Sequence, residues 1–201
     1  EVDGIVIVTS PNKPAIKNSL EESGELTRGD IKFVEQAEPN GLVDAISQAI
    51  PICGENMLVA TPDNLYLRHP CPSFELLRVH GTSQRCVIGV VPVVSPWGEM
   101  LGDTGRVDSL YNSKNSEHRA LSGILEKRKT KPFPLTVPPC WRCTGRMIVT
   151  TEFWWQTGLD DVEKLGALAS QGRLLAAELD ADYIDIGIPT GLAYAREHYG
   201  E

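Results

Sequence analysis

The sequence predicts an α/β fold with a mostly parallel sheet, on two observations. The first is alternation. Residues 4–9 (GIVIVT) are a short β-branched run closed by Ser10-Pro11, which reads as a buried strand. Residues 13–23 read as a helix, with Gly24 just past its end. Residues 30–35 alternate and read as a second strand. Residues 41–50 place Leu42, Val43, Ile46, Ala49 and Ile50 on a helical stripe, and 57–61 form a third strand ended by Pro62-Asp63-Asn64. Strand, helix, strand, helix, strand at this spacing predicts parallel pairing through crossover helices. The second observation is composition. The 201 residues are 41% hydrophobic and 23% charged, which excludes a disordered chain; the length fits one domain or one and a half, and a single domain spanning 1–201 is expected.

Further along, 84–94 (QRCVIGVVPVV), 105–110, 121–126 and 144–150 read as strands. Pro132, Pro134, Pro138 and Pro139 mark an irregular connection before the last of these. Residues 159–170 read as a helix with Asp160 and Asp161 suited to its positive N-terminal end. Strands are predicted at 173–179 and 183–186, and a helix from Thr190 to His198 behind Pro189. No internal repeat or low-complexity tract is present.

Lys and Arg number 19 against 27 Asp and Glu, a net charge of −8. With no basic cluster denser than 127–131 (KRKTK), the chain is a poor binder of nucleic-acid backbones. Handling phosphates would call for a divalent cation between them and the carboxylates. No apolar run reaches the ~18 residues of a membrane helix. The five cysteines, an odd number in a chain of this length, argue against a disulfide scaffold and favour a reducing cytoplasm. Cys140-Trp141-Arg142-Cys143 is half of a zinc site that His69 and Cys71 could complete only at arbitrary spacing. Its Pro-rich setting does not suit a redox motif, so plain structural thiols are expected. Trp154-Trp155 is expected in a core or an interface rather than as a stacking platform.

In open α/β sheets ligands bind beyond the carboxyl ends of strands, and Gln36 and Asp63 each follow a strand. Three stretches carry a resemblance. Gln36 to Ile46 (QAEPNGLVDAI) resembles Q-x-x-P-x-G-L-x-x-A. Leu58 to Asn64 (LVATPDN) resembles L-V-L-x-G-D-N. Tyr183 to Pro189 (YIDIGIP) resembles W-x-D-x-G-T-P. Weaker matches lie in the same order at Trp97-Gly98, Leu125-Glu126-Lys127, Thr144-Gly145 and 171–174. Together they are similar to the sugar-1-phosphate nucleotidyltransferases, the thymidylyl- and uridylyltransferases that join a nucleoside triphosphate to a sugar phosphate.

The resemblance implies a three-layer, nucleotidyltransferase-like (Rossmann-like) domain with a mixed sheet. It implies nucleotide binding by Gln36, Gly41 and Asp63, and sugar-phosphate binding by Gly98, Glu126, Lys127 and Gly145, with Lys127 also the catalytic cation. It implies Mg²⁺ on Asp63 and Asp185, and a nucleoside triphosphate and a sugar 1-phosphate as partners, in a chain that could form a homo-oligomer. The chemistry suits these residues. An amide donates and accepts, so Gln36 can read a pyrimidine edge, and a glycine lets a base lie against backbone. Lys is a point charge for phosphate, and two carboxylates can hold a cation against α- and β-phosphates. Plain alternatives stand beside each: a loop Gln, a helix-start Gly, turn or cap Asp residues, ordinary turn glycines, and a solvated basic run from Lys127 to Lys131.

The sequence departs from the family at Pro62, where the family has Gly, and at Arg128, where it usually has Pro. The family's opening strand and its G-x-G-T-R loop do not occur in these 201 residues. Either the loop is lost or residues preceding Glu1 carry it, and a catalytically inactive binding or oligomeric interaction module is the alternative expectation.

Overall fold

A computed structural model of the chain describes residues 3–24, 30–67, 71–92, 106–107, 110–112, 118–125, 141–156 and 160–199. They fall into two compact units, one of residues 1–56 with 159–161 and one of the remainder.

In the first unit β1 (Ile5–Thr9) and β2 (Ile31–Glu35) pair in parallel, Ile5 opposite Ile31 and Thr9 opposite Glu35. Helix α1 (Pro14–Glu22) lies between them in sequence and begins with Pro, whose fixed φ suits the first helical turn. It buries no residue, so its place rests on the chain connection more than on packing. Helix α2 (Leu42–Cys53) packs against β1 and buries Ile46 and Ala49, one helical turn apart.

The second unit is built on an eight-stranded mixed sheet. Its main path runs β7 (Leu110–Asn112), β8 (Arg119–Leu121), β11 (Leu174–Glu178), β5 (Cys86–Pro92), β10 (Trp141–Val149), β6 (Arg106–Val107), β9 (Ile124–Leu125). Strand β3 (Met57–Ala60) also pairs with β10. The centre is β5, whose first six residues are buried, which explains an uninterrupted apolar run instead of alternation. A separate antiparallel pair joins β4 (Asn64–Leu67) to β12 (Asp182–Asp185). Helix α3 (Pro72–Ser83) packs on β5, β10 and β11. Leu76 and Val79 of α3, Val87 and Val91 of β5, Ile148 of β10, Leu175 and Ala177 of β11 and Tyr183 of β12 form one buried cluster, with Tyr66 of β4 packed against it. Helices α4 (Thr151–Trp154), α5 (Asp161–Ser170) and α6 (Pro189–Tyr199) complete the described elements. Thr150 caps α4 by accepting a hydrogen bond from the Glu152 amide, and α5 buries Leu165, Leu168 and Ala169 on one stripe.

The α/β class and the mixed sheet are as expected. The balance of directions is not: among the described ladders only β1·β2 and β5·β11 are parallel, and the other seven are antiparallel. Strand 57–61, expected in a parallel set, pairs antiparallel with β10 through Leu58 opposite Ile148 and Ala60 opposite Arg146. Parallel neighbours need crossover connections. The described residues between β5 and β10 include no helix to supply one. Strand β4 and helices α3 and α4 were not anticipated.

Leu76 is fully buried in the cluster. Leu76→Ala should lower stability by about 2–5 kcal/mol, from lost transfer energy plus a cavity. Urea unfolding checks this, and a loss below about 1 kcal/mol would mean α3 does not seat the core as described.

Candidate functional site

In the first unit the loop from β2 to α2 carries Gln36 and Gly41. The Gln36 amide extends the β1·β2 ladder by donating to the Thr9 carbonyl at 2.8 Å. Its side-chain Nε2 donates to the Gly41 carbonyl at 3.2 Å and to Asp44 Oδ2 at 2.6 Å. These bonds fix the side chain, and Oε1 receives no hydrogen bond among the described residues. Gly41 is the N-cap of α2 at φ 93°, a conformation side chains other than glycine rarely adopt, and nothing lies within 4 Å of where its Cβ would stand. Gln36 and Gly41 thus have structural tasks and still leave an acceptor and an open backbone face. Asp44, which holds Gln36, was not anticipated. A carboxylate in the first turn of a helix was its only signal.

In the second unit Asp63 and Asp185 come together. Asp63 lies in the turn between β3 and β4, and Asp185 ends β12, opposite Asn64 in the ladder. A Cβ built on Gly187 would stand 2.8 Å from Asp63 Oδ2 and 3.0 Å from Asp185 Oδ1, so both carboxylates approach one point. Asn64 Nδ2 donates to Asp63 Oδ1 at 2.9 Å, and the Gly187 amide donates to Asp185 Oδ1 at 2.9 Å. The Ile186 amide donates to the Asp63 carbonyl at 2.8 Å, tying the two strand ends together. Gly191, in the first turn of α6, leaves no room for a Cβ against the Asp185 carbonyl, so α6 seats closely on the end of β12. Two hard oxygen donors converging in this way fit Mg²⁺, which is commonly bound by one or two carboxylates plus substrate phosphates. Among the described residues no group of three or more His, Cys, Asp or Glu gathers as metal ligands.

Gly145 lies within β10 at a bulge, between Cys143 and Met147. A side chain there would overlap Thr61 and Asn64, whose side chains are hydrogen-bonded to each other at 2.8 Å, and the Gly145 carbonyl accepts from the Thr61 amide at 2.8 Å. It is therefore the seat of the turn that carries Asp63, a task neither sequence alternative named. The expectations for Gly98, Glu126 and Lys127 lie outside the described residues, as does Cys140. Cys143 is buried and Cys71 exposed. Trp154 is half-buried and Trp155 is 73% exposed, so the pair is not a core element.

Behind the carboxylates, Tyr66 and Tyr183 pair across the ladder with ring centroids 5.2 Å apart at 64°. The Arg146 guanidinium sits 5.1 Å from the Tyr66 ring centre. Burial pushes the Tyr66 phenol up to about 12 and raises that of Tyr183, and the Asp63 charge adds to both. Burial also raises the Cys86 thiol.

No family model and no curated protein matches the chain. Solved structures do. A UDP-glucose pyrophosphorylase complexed with UDP-glucose superposes at a TM-score of 0.72 with 20% identity, over 98% of this chain and 80% of that one. A UTP-bound UGPase from Acinetobacter baumannii gives 0.69 and 21%, over 98% and 79%. A putative glucose-1-phosphate thymidylyltransferase from Bacillus anthracis, in complex with a sucrose, gives 0.72 and 17%, over 100% and 77%. The chain has a sugar-1-phosphate nucleotidyltransferase-like fold.

The raised groups set an alkaline limit. In the unfolded chain Tyr66, Tyr183 and Cys86 release protons near their ordinary values, whereas the folded chain keeps them, so folding stability must fall as pH rises through about 9–10 and beyond. Melting temperature should drop above about pH 10, with Tyr66→Phe removing part of the drop. A melting curve unchanged up to about pH 11 would contradict the burial of these groups.

Proposed function

We propose that the chain binds a nucleoside triphosphate and a sugar 1-phosphate as a sugar-1-phosphate nucleotidyltransferase does. In that reaction a sugar-phosphate oxygen attacks the α-phosphorus, and the α–β phosphoanhydride bond breaks. The electron pair leaves with pyrophosphate, and the attacking phosphate, already an anion, needs no general base. The observation that carries the reading is the convergence of Asp63 and Asp185 beside Gly187. When bound there, Mg²⁺ would neutralise charge on the α- and β-phosphates. Gln36 would accept from a pyrimidine N–H through Oε1, and the open face of Gly41 would lie against the base. Lys127 would hold the sugar phosphate, with Gly98 and Glu126 at the sugar, while Gly145, filled on its open side by Thr61 and Asn64, would support the carboxylate turn.

Calorimetric titration of UDP-glucose or UTP in the presence of Mg²⁺ tests this reading. Binding should weaken about tenfold or more in Asp63→Asn and Asp185→Asn, equivalent to at least ~1.4 kcal/mol, and in Gln36→Ala. Both Asp variants should also lose the dependence on Mg²⁺. Absence of nucleotide binding, or binding indifferent to the cation and to all three changes, would sink the reading.

A second reading is binding without turnover by these 201 residues alone, which contain no G-x-G-T-R loop. Without such preorganised donors, the 201 residues alone should release pyrophosphate at least ~10³-fold below the usual 1–100 s⁻¹. A coupled pyrophosphate assay giving ordinary rates would remove this alternative.

A further inference from the structure

The least explained feature of the second unit is a pair of buried hydroxyls. Tyr183 is 2% exposed, and its hydroxyl, like the buried one of Tyr66, makes no hydrogen bond of full geometry, yet the Gly145 backbone is within reach of the first and Thr144 and Arg146 within reach of the second. Phenylalanine rings would give the same edge-to-face packing, so the hydroxyls add nothing to the ring contact itself. Their position suggests what they serve. Side chains two apart on a strand share a face, so Tyr183 lies on the face of Asp185 and Tyr66 on that of Asn64. The ladder sets Tyr183 opposite Tyr66 and Asp185 opposite Asn64, so all four line one face, and Asn64 in turn holds the Asp63 carboxylate. The Gly145 backbone faces the Tyr183 hydroxyl, while Thr144 and Arg146 face that of Tyr66. Gly145 is also where Thr61 and Asn64 rest.

We propose that the hydroxyls of Tyr183 and Tyr66, set against the Gly145 backbone and against Thr144 and Arg146, form a polar seat that positions the Asp63–Asn64 turn and Asp185 to receive a divalent cation. Tyr183 and Tyr66 are thus positioning residues, the outer hydrogen-bonding layer that ligating carboxylates ordinarily have. The inference rests on the cation reading given above for Asp63 and Asp185.

The test uses Tyr183→Phe and, as a second variant, Tyr66→Phe, with two readouts. Mn²⁺ affinity, measured by electron paramagnetic resonance as a probe of the cation site, should fall about tenfold in either variant. Amide hydrogen exchange should speed up about tenfold at 61–64 and 185–187 and stay unchanged in α3 and β5. A purely structural role would instead loosen the core with the turn. Wild-type affinity and wild-type exchange at 61–64 in both variants would overturn the proposal, as would loosening spread over α3 and β5. If the wild-type chain takes up no Mn²⁺, the cation reading fails and hydrogen exchange alone decides whether the seat exists.

Discussion

The register of the β4·β12 ladder is the constraint on which the site depends. It puts Asn64 opposite Asp185 and Tyr66 opposite Tyr183. A slip of one residue would turn every side chain of one strand to the opposite face and part the two carboxylates. Three contacts hold the register. The tyrosine pair anchors it in the core cluster, Gly145 admits the Thr61–Asn64 turn against β10, and Gly191 lets α6 close on the Asp185 carbonyl. Two of these anchors are glycines whose value is their missing side chain. The site is therefore defined as much by empty volume as by the acids that line it.

Much of the fold was legible because its segments carry strong periods. The apolar runs of β1 and β5, the alternation of β2, the stripe of α2 and the acidic start of α5 are visible in the sequence, and each element appears where expected. The stretch 64–83 was not legible. Strand β4 has four residues, too few for a pattern. Helix α3 has Cys71 as its N-cap, which offers no side-chain hydrogen bond, and ends in His80-Gly81-Thr82-Ser83, poor helix formers whose Thr82 and Ser83 hydroxyls donate back to the Val79 carbonyl. Strand direction was illegible too, because it depends on which strands become neighbours, as in the long antiparallel contact of β10 with β5.

The candidate site divides in the same way. Asp63 and Asp185 were found because they lie in short stretches similar to a known family and at strand ends. Asn64, Asp44, Tyr66 and Tyr183 act through partners far away in sequence or through side-chain geometry that no local pattern encodes. Gln36 is an instructive middle case. The sequence marks it, but only the structure reveals that its amide nitrogen is already committed to Gly41 and Asp44. A side chain fixed by two hydrogen bonds loses little entropy on meeting a ligand, so what remains of its hydrogen-bonding capacity is preorganised.

Lys164 has a consequence of another kind. It is 8% exposed on α5, and its ammonium donates to the Gln156 carbonyl at 2.6 Å and lies 5.8 Å from the centre of the Phe153 ring. An amine so enclosed is shielded from reagents that acylate exposed lysines such as Lys13 and Lys17 at once. Its labelling must wait until the segment after α4 parts from α5. The native chain therefore carries its own clock for that local opening, readable by mass spectrometry without any engineered probe.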